Sequence, residues 1–200
     1  LIDNLVHRLH LIIIDAGNMN AGENRILAEM IQARDLKPVM AVNTHGHFDH
    51  VGGVKWLKDT YGVAFACSSK DQFLIDSTAG GMVYGIQCNE VPAIDIDLDA
   101  VEDIRFGNTL LRVIKTPGHT PGHVVLFNAE DKSLFTGDTL FRESIGRTDL
   151  PGGDYSWIMK SILEQIVPLG DDVAIYPGHE DSSTIGHEVL YNPFIVEVLN

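Results

Sequence analysis

A dense group of histidine and aspartate side chains lies in residues 44–50, whose sequence is THGHFDH. His45 and His47 stand two positions apart, and residues at that spacing in an extended segment point to the same side of the backbone. Both imidazoles can therefore reach one divalent ion, while Asp49 and His50 can turn towards a second. So many donors in so short a run have no packing purpose. We interpret the run as the anchor of a metal site.

Three further candidate donors follow predicted strands later in the chain. They are His119 in the sequence TPGH, Asp138 in TGDT and His179 in YPGH. The carboxyl ends of strands are where α/β folds place their binding sites. The sequence therefore predicts that these side chains join the histidine-rich run at one edge of the fold.

The composition favours a single globular domain, over residues 1–200, that acts on a small molecule. An apolar content of 44% in 200 residues is enough to bury a full core. The net charge is -14, and the 14 lysine and arginine residues form no basic run, which excludes a nucleic-acid partner. The apolar run at residues 11–14 falls far short of the roughly 20 residues of a membrane-spanning helix, so we expect no membrane association.

The two cysteines, Cys67 and Cys88, are too few for a disulfide framework and lack the paired spacing of a thiolate metal site. We expect both to be unreactive thiols. A reducing compartment fits this usage, and we expect a cytoplasmic location.

Hydrophobic patterning predicts alternating strands and helices. Strands are predicted over residues 9–15, 38–42, 63–66, 109–115, 123–128, 134–136 and 173–176. Helices are predicted over residues 23–33, from residue 54 onwards, over residues 70–77 and over residues 154–166. The apolar stripe of the first helix comprises Ile26, Leu27, Met30 and Ile31. Asp154 caps the last helix, whose predicted buried face comprises Trp157, Ile158, Ser161, Ile162 and Gln165. Residues 78–93 carry no clear pattern and are predicted to form a loop. Sheets covered by helices are the expected architecture.

The order of these motifs, over residues 15–194, resembles the metallo-β-lactamase superfamily. The resemblance implies an α/β fold of the αββα sandwich type, with two mixed sheets covered by helices on the outer faces. It also implies two divalent metal ions, zinc ahead of iron or manganese. The ligands implied are His45, His47 and His119 for the first ion, Asp49, His50 and His179 for the second, and Asp138 as the bridge.

Within that superfamily the chain is similar to short, single-domain members of the glyoxalase II branch. The residues that carry this similarity are TPGHTPGH at 116–123, GDTLF at 137–141 and GRTD at 146–149. The similarity implies hydrolysis of a small-molecule thioester such as a hydroxyacylglutathione. A hydroxide that bridges the metals would attack the thioester, with Asp49 or Asp138 orienting it.

Some positions depart from the longer enzymes of this branch or leave two interpretations open. We expect the chain to lack the helical C-terminal domain of the longer enzymes. Arg147 matches a basic residue that contacts glutathione, although a surface salt bridge is an equal alternative, and Asp149 replaces a tyrosine. Phe141 is predicted either to form a wall of the substrate site or to pack in a loop. His123 is predicted to support the ligands or to pack, rather than to bind metal. No role is assigned to His7, His10 or His187, and the first sheet is expected to be short at its amino end.

Two other functions compete with hydrolysis. Persulfide dioxygenases of the same superfamily also carry the GRTD sequence and bind one iron ion through the residues that match His45, His119 and Asp138. The complete second set of donors favours the hydrolase. A non-enzymatic metal-binding module is the third alternative. The donor types suit zinc, iron and manganese alike.

Overall fold

The computed structural model describes residues 9–199, which form fourteen strands and seven α-helices. In chain order the strands are β1 Leu9–Ile14, β2 Leu36–Val42, β3 Ala64–Cys67, β4 Met82–Val83, β5 Ile86–Gln87, β6 Ile96–Asp97, β7 Asp103–Phe106, β8 Thr109–Lys115, β9 Val124–Asn128, β10 Ser133–Gly137, β11 Leu140–Phe141, β12 Ser144–Ile145, β13 Ala174–Pro177 and β14 Ser183–Thr184. The helices are α1 Ala21–Ala33, α2 Phe48–Val51, α3 Val54–Tyr61, α4 Gln72–Thr78, α5 Tyr155–Ser161, α6 Ile185–Tyr191 and α7 Pro193–Leu199.

Two large sheets stack face to face. The first has the order β1-β2-β3-β6, and its pairings are parallel. The second has the order β14-β13-β10-β9-β8-β7 and is mixed, because β10 and β13 run parallel while its other pairings are antiparallel. Short hairpins, β4–β5 and β11–β12, stand apart from these sheets.

Apolar side chains from both sheets fill the space between them. Alternate residues of a strand point to opposite faces, so Leu111 and Val113 of β8 face inwards together. They meet Ile12, Val42 and Ala66 from the first sheet. This inter-sheet core holds the two sheets in fixed alignment, which matters because the candidate donors come from both of them.

Helices cover the outer face of the first sheet. Leu57 of α3 and Phe65 of β3 are both fully buried in the core between the helices and this sheet. The predicted stripe of α1 is only partly correct, because Ile31 is buried and Leu27 is partly buried, whereas Ile26 and Met30 are exposed. The helix rests on the sheet along a narrower strip than its sequence pattern indicates.

The outer face of the second sheet is covered by the last three helices. Asp154 accepts a hydrogen bond from the Trp157 backbone N–H at 2.9 Å and caps α5, as predicted. Beyond Ser161 the segment continues as a π-helix over Ile162–Ile166, in place of the α-helix predicted there. Ile158, Ile162 and Ile166, at a spacing of four, are fully buried in the core against the second sheet. Trp157 and Gln165, predicted for the buried face, are exposed.

Seven strands predicted from the sequence are present to within two residues, and the αββα sandwich is the observed architecture. The elements outside the predicted ones are strands β6, β7 and β14, both small hairpins, and helices α2, α6 and α7. His7 lies outside the described residues, while His10 is exposed and His187 contacts Glu143. Within residues 9–199 no helix reaches the length and apolarity that crossing a membrane would require.

Strand β8 offers a direct test of the inter-sheet core. Leu111 is 2% exposed within the core, whereas its neighbour Leu110 points outwards and is 36% exposed. We expect Leu111→Ala to lower the free energy of unfolding by about 2–5 kcal/mol, because it leaves a cavity between the sheets. Leu110→Ala is the matched control and should cost less than about 1 kcal/mol. Urea unfolding measures both, and equal losses would contradict this assignment of the core.

Candidate metal centre

The predicted donors meet at one edge of the sandwich. The run that begins at His45 follows β2 of the first sheet and passes into α2. His119, Asp138 and His179 follow β8, β10 and β13 of the second sheet. The pairing of β10 with β13 shifts register between Phe135 and Gly137, immediately before Asp138. Both sheets therefore deliver side chains to the same place.

Three imidazoles form a first group. Nδ1 of His47 lies 2.9 Å from Nε2 of His119, and the ring centroid of His45 lies 4.8 Å and 4.9 Å from theirs. One nitrogen from each of the three lies within 4.8 Å of the others. This is the closeness that a shared ion requires of its imidazole ligands.

Asp49, His50 and His179 form a second group with the same property. Nε2 of His179 lies 3.3 Å from Nε2 of His50 and 3.5 Å from Oδ2 of Asp49. The side chain of His179 is 51% exposed, so this group borders solvent while the first is largely buried.

The carboxylate of Asp138 stands between the two groups. Its Oδ2 lies 3.7 Å from Nε2 of His119 and 3.6 Å from Nε2 of His179. Its Oδ1 lies 3.4 Å from Nε2 of His50. Because Asp138 is only 8% exposed, this carboxylate interacts mainly with the imidazoles around it.

Polar atoms without partners test whether these residues suit metal ions. Among the described residues, Nε2 of His45 and Oδ1 of Asp138 are buried and accept no hydrogen bond. Buried polar atoms in folded proteins are otherwise almost always paired. Imidazole and carboxylate lone pairs left bare in one small volume fit divalent cations.

A relay of hydrogen bonds fixes the ring of His45. The Thr44 hydroxyl lies 2.8 Å from Oδ2 of Asp15 and 3.0 Å from Nδ1 of His45. A carboxylate can only accept, so the hydroxyl donates to Asp15 and accepts from Nδ1–H. The proton of His45 therefore sits on Nδ1, and the Nε2 lone pair is directed into the centre.

Two other ligand candidates are oriented in the same way. Nδ1 of His119 donates to the backbone carbonyl of Arg147 at 2.7 Å. Nδ1 of His50 lies 3.1 Å from Oδ2 of Asp15 in an ion pair. The hydrogen bond of His119 and the ion pair of His50 both use Nδ1, which leaves Nε2 of each ring for the centre.

His123 supports the site without offering it a lone pair. Its Nε2 accepts a hydrogen bond from the backbone N–H of Asp138 at 3.0 Å. Its Nδ1 then carries the proton and faces the hydroxyls of Thr116 and Thr139 at 3.1 Å and 3.0 Å. The supporting position predicted for His123 agrees with these contacts.

Asp71 joins the two loops that carry the first group. Its carboxylate accepts hydrogen bonds from the backbone N–H of Gly46 at 3.0 Å, the Thr120 hydroxyl at 2.7 Å and the backbone N–H of Gly122 at 2.7 Å. Burial raises the pKa of Asp71, and these donors act against that shift. A side chain on Gly46 would meet Asp71 Cβ at 2.8 Å, so glycine is required for this close approach.

Burial keeps most of the imidazoles uncharged. It lowers the pKa of His45 and His123 well below the ordinary histidine value and also lowers that of His119. Burial and the neighbouring His119 lower the pKa of His47 to about 4. These rings therefore carry no charge at neutral pH, which is the form that binds metal.

His50 behaves differently from the other rings. Burial favours its neutral form, but the carboxylates of Asp138 and Asp15 outweigh burial and raise the pKa of His50 to about 10. The same contact lowers the pKa of Asp138 despite its burial. Without metal, a proton on His50 compensates part of the negative charge of the centre.

A cavity of about 650 Å³ opens onto both groups. Phe141 and Arg147, the predicted substrate contacts, lie in its lining. The Arg147 side chain is paired with Asp149, through Nε to Oδ1 and Nη2 to Oδ2, each at 2.7 Å. The salt bridge weighed as the alternative for Arg147 is thus present at the edge of the cavity.

Comparison with known proteins gives the family. Residues 5–179 match the sequence profile of the metallo-beta-lactamase superfamily. The chain belongs to this superfamily. The predicted family and its fold are thereby confirmed, and the coarse class is that of the metallo-hydrolases.

Three members illustrate the range of the superfamily. The hydroxyacylglutathione hydrolase GloC of Haemophilus influenzae is 38% identical in an alignment 190 residues long that covers 92% of this chain and 86% of that protein. The crystal structure of the BLEG-1 B3 metallo-beta-lactamase matches with a TM-score of 0.85 and 31% identity over 93% of this chain and 88% of that one. The structure of TTHA1623 in a di-iron-bound form matches with a TM-score of 0.79 and 32% identity over 90% and 87%.

All seven predicted donors lie in the two groups and the carboxylate between them. Sequence reasoning assigned no role at the site to Asp15, Thr44 or Asp71. Asp15 stands at the end of a predicted strand, and a carboxylate in that position is the same signal that identified Asp138. Asp71 precedes a helix, where an acidic residue is ordinary, so the sequence offered no comparable signal.

Replacing Asp71 with Asn tests its role in holding the loops. The amide would turn an N–H towards one of the three donors, so we expect metal affinity to fall by about 10- to 100-fold. Titration with Zn²⁺ against a chromophoric chelator measures the affinity. Asp76→Asn makes the same change on the exposed side of α4 and should leave the affinity unchanged. Wild-type affinity in Asp71→Asn would contradict this role.

The metal-free protein should be most stable near the ordinary histidine pKa of 6.5. Below that pH the unfolded chain binds protons that the folded state does not bind, so stability falls. The lowered pKa of His47 alone should reduce the free energy of unfolding by about 2 kcal/mol at pH 5. Above it, folded His50 keeps a proton that the unfolded chain has released, so stability falls as the pH rises towards about 10. Urea unfolding of chelator-treated protein from about pH 5 to pH 8.5 measures both limbs. We expect His50→Gln to abolish the alkaline decline in stability. A free energy of unfolding of the wild type that rises steadily across this pH range would contradict the prediction.

Proposed function

We propose that the chain is a binuclear metallohydrolase that cleaves small-molecule thioesters, with hydroxyacylglutathiones as the leading substrate class. The observation that carries this proposal is the position of Asp138. Its carboxylate lies within 3.7 Å of imidazole nitrogens from both donor groups. In this position Asp138 would be a ligand common to both ions of a two-metal hydrolase site.

The ligand assignment follows from the two groups. His45, His47 and His119 are proposed to hold the first ion, and Asp49, His50 and His179 the second, with Asp138 shared. When bound, two such ions polarise a carbonyl and lower the pKa of a bound water to near neutrality. No side-chain nucleophile is then needed, and the described residues that line the cavity include neither a cysteine nor a lysine.

The protein's own residues set the geometry for that chemistry. Asp15 and the Arg147 carbonyl hold His50 and His119 by their outer nitrogens, so both rings keep their direction. Asp49 is 41% exposed beside His179, on the side of the centre that meets solvent. We assign to Asp49 and Asp138 the orientation of the attacking oxygen, because both carboxylates belong to the donor set and line the cavity.

The thioester preference is supported by relatedness and by the cavity. A relative 38% identical is named hydroxyacylglutathione hydrolase, and the match covers 92% of this chain. The cavity, about 650 Å³, is large enough for a tripeptide-sized ligand. Zinc is proposed as the metal pair, and the di-iron form of TTHA1623 makes iron the principal alternative.

A mononuclear dioxygenase would bind its one iron ion through only His45, His119 and Asp138. Asp49, His50 and His179 would then have no task, although their ligand atoms already lie within 4.8 Å of one another. That convergence favours the two-metal hydrolase over the oxygenase and over a passive metal-binding module.

Metal analysis and activity assays on one set of variants test the proposal. We expect two metal ions per chain and hydrolysis of S-D-lactoylglutathione by the wild type. Asp138→Ala should lose both ions and at least about 100-fold in activity, because the shared ligand is removed. His10→Ala removes an exposed imidazole of β1 and should change neither quantity.

Three outcomes would overturn the proposal. Full activity in Asp138→Ala would exclude the bridging role. One iron per chain, together with consumption of dissolved oxygen when glutathione persulfide is the substrate, would indicate the dioxygenase. Two bound ions with no turnover of thioesters, lactones or β-lactams would leave a metal-binding module.

A further inference from the structure

The side chain of Glu188 on α6 is a carboxylate in a residue with no exposed surface. Its Oε2 accepts hydrogen bonds from the backbone N–H of Glu143 at 2.7 Å and from Nδ2 of Asn192 at 2.9 Å. Its Oε1 accepts a hydrogen bond from the Ser183 hydroxyl. These donors compensate for the hydration that a buried carboxylate loses. An apolar side chain would fill the space without that cost, so the contacts themselves are what Glu188 contributes.

The contacts of Glu188 hold the turn of the β11–β12 hairpin. Phe141 pairs with Ser144, so the turn has two residues, of which Glu143 is the second. Glu143 has a positive φ of 56°, which is uncommon for a residue with a side chain and is kept where the surrounding structure holds it. Glu188 binds the N–H of this residue, and Nδ2 of Asn192 also donates to the Ser144 carbonyl at 3.0 Å. The turn is therefore fastened to the carboxyl-terminal end of α6.

This hairpin connects two parts of the metal centre. Asp138 stands two residues before it, and Arg147, whose carbonyl orients His119, stands two residues after it. The two ends of the connection lie against each other, because the Gly146 N–H donates to the Thr139 carbonyl at 3.3 Å. Gly146 also leaves no room for a side chain against the carbonyl oxygen of Asp138. A displacement of the hairpin would therefore move the shared carboxylate and the acceptor that holds the His119 ring.

The remaining contact of Glu188 reaches the other side of the centre. Ser183 begins β14, and the loop between β13 and β14 carries His179. The ring of Phe141 in the hairpin lies 6.4 Å from the ring of His179, and both side chains line the cavity. One buried carboxylate is thus shared by the hairpin that follows Asp138 and the loop that carries a proposed ligand of the second ion.

We propose that Glu188 is a positioning residue of the metal centre, which acts through the β11–β12 hairpin and not by binding metal. It fixes the hairpin against α6 and thereby sets the positions of Asp138 and of the carbonyl that orients His119. The inference rests on the ligand assignment of the proposed function and adds α6 to the elements on which metal affinity depends. Breaking the contacts of Glu188 weakens metal binding in protein that remains folded.

The zinc affinity of folded variants tests the proposal. Glu188→Met keeps the length of the side chain and removes both acceptor oxygens. We expect its affinity for Zn²⁺, measured against a chromophoric chelator, to fall about 10-fold. Glu188→Gln should keep the wild-type affinity, because its carbonyl oxygen can accept from Glu143 and Asn192 while its amide N–H donates to the Ser183 hydroxyl. Circular dichroism shows whether each variant is folded.

Two further variants separate lost positioning from lost stability. Ile166→Ala leaves a cavity in the core on the outer face of the second sheet and removes none of these hydrogen bonds, so the folded protein should keep its zinc affinity. The visible spectrum of Co²⁺-loaded protein, which reports ligand geometry, should change in Glu188→Met and not in Ile166→Ala. If Glu188→Met does not fold, Glu188→Asp replaces it, since its carboxylate is too short to reach all the donors.

Wild-type zinc affinity in folded Glu188→Met, or an equal loss of affinity in Glu188→Gln or Ile166→Ala, would overturn the positioning role. A wild type that binds zinc but hydrolyses no thioester would overturn the proposed function alone, and the zinc titration would still decide the role of Glu188. A wild type that binds no divalent metal ion would overturn both.

Discussion

Two carboxylates face the imidazole of His50 from opposite sides, and the rest of the centre is arranged around that contact. Asp15 lies 3.1 Å from Nδ1, and Asp138 lies 3.4 Å from Nε2. Two carboxylates that are largely withdrawn from water repel each other and lose hydration, so a positive charge between them is stabilising. A proton on His50 supplies part of it in the absence of metal, and a divalent ion beside Nε2 supplies more. The protein therefore buries a charge pattern that is complete only with cations.

Residues that surround the donors keep this pattern of charges in place. Asp15 comes from the first sheet and reaches both His50 and, through Thr44, His45. Asp71 joins the loop of Gly46 to the loop after β8. The inter-sheet core fixes the distance between the strands from which these loops extend. The precision of the site thus depends on both sheets, since neither carries a complete donor group.

The donors and the strands that precede them were predictable from the sequence because their chemistry and spacing are local signals. His45 and His47 alternate along an extended segment, and Asp138 follows a short apolar run. The supporting contacts were not predictable in the same way, since Asp71 meets Thr120 across 49 positions of sequence. The exposed apolar residues of α1 and the π-helical segment were not predictable either, because apolar spacing does not fix the angle at which a helix meets its sheet. For Arg147 the sequence left two interpretations, and the structure shows both its pairing with Asp149 and its place in the cavity lining.

The contact between His119 and the Arg147 loop has a consequence for how such a site can diversify. His119 is oriented by the backbone carbonyl of Arg147, while the side chain of the same residue stands at the cavity mouth. A main-chain acceptor is retained whatever side chain the position carries. Substitutions at residue 147 can therefore alter what enters the cavity while the imidazole keeps its direction. In one residue the requirements of metal binding and of substrate choice are separated between backbone and side chain, so each can change without loss of the other.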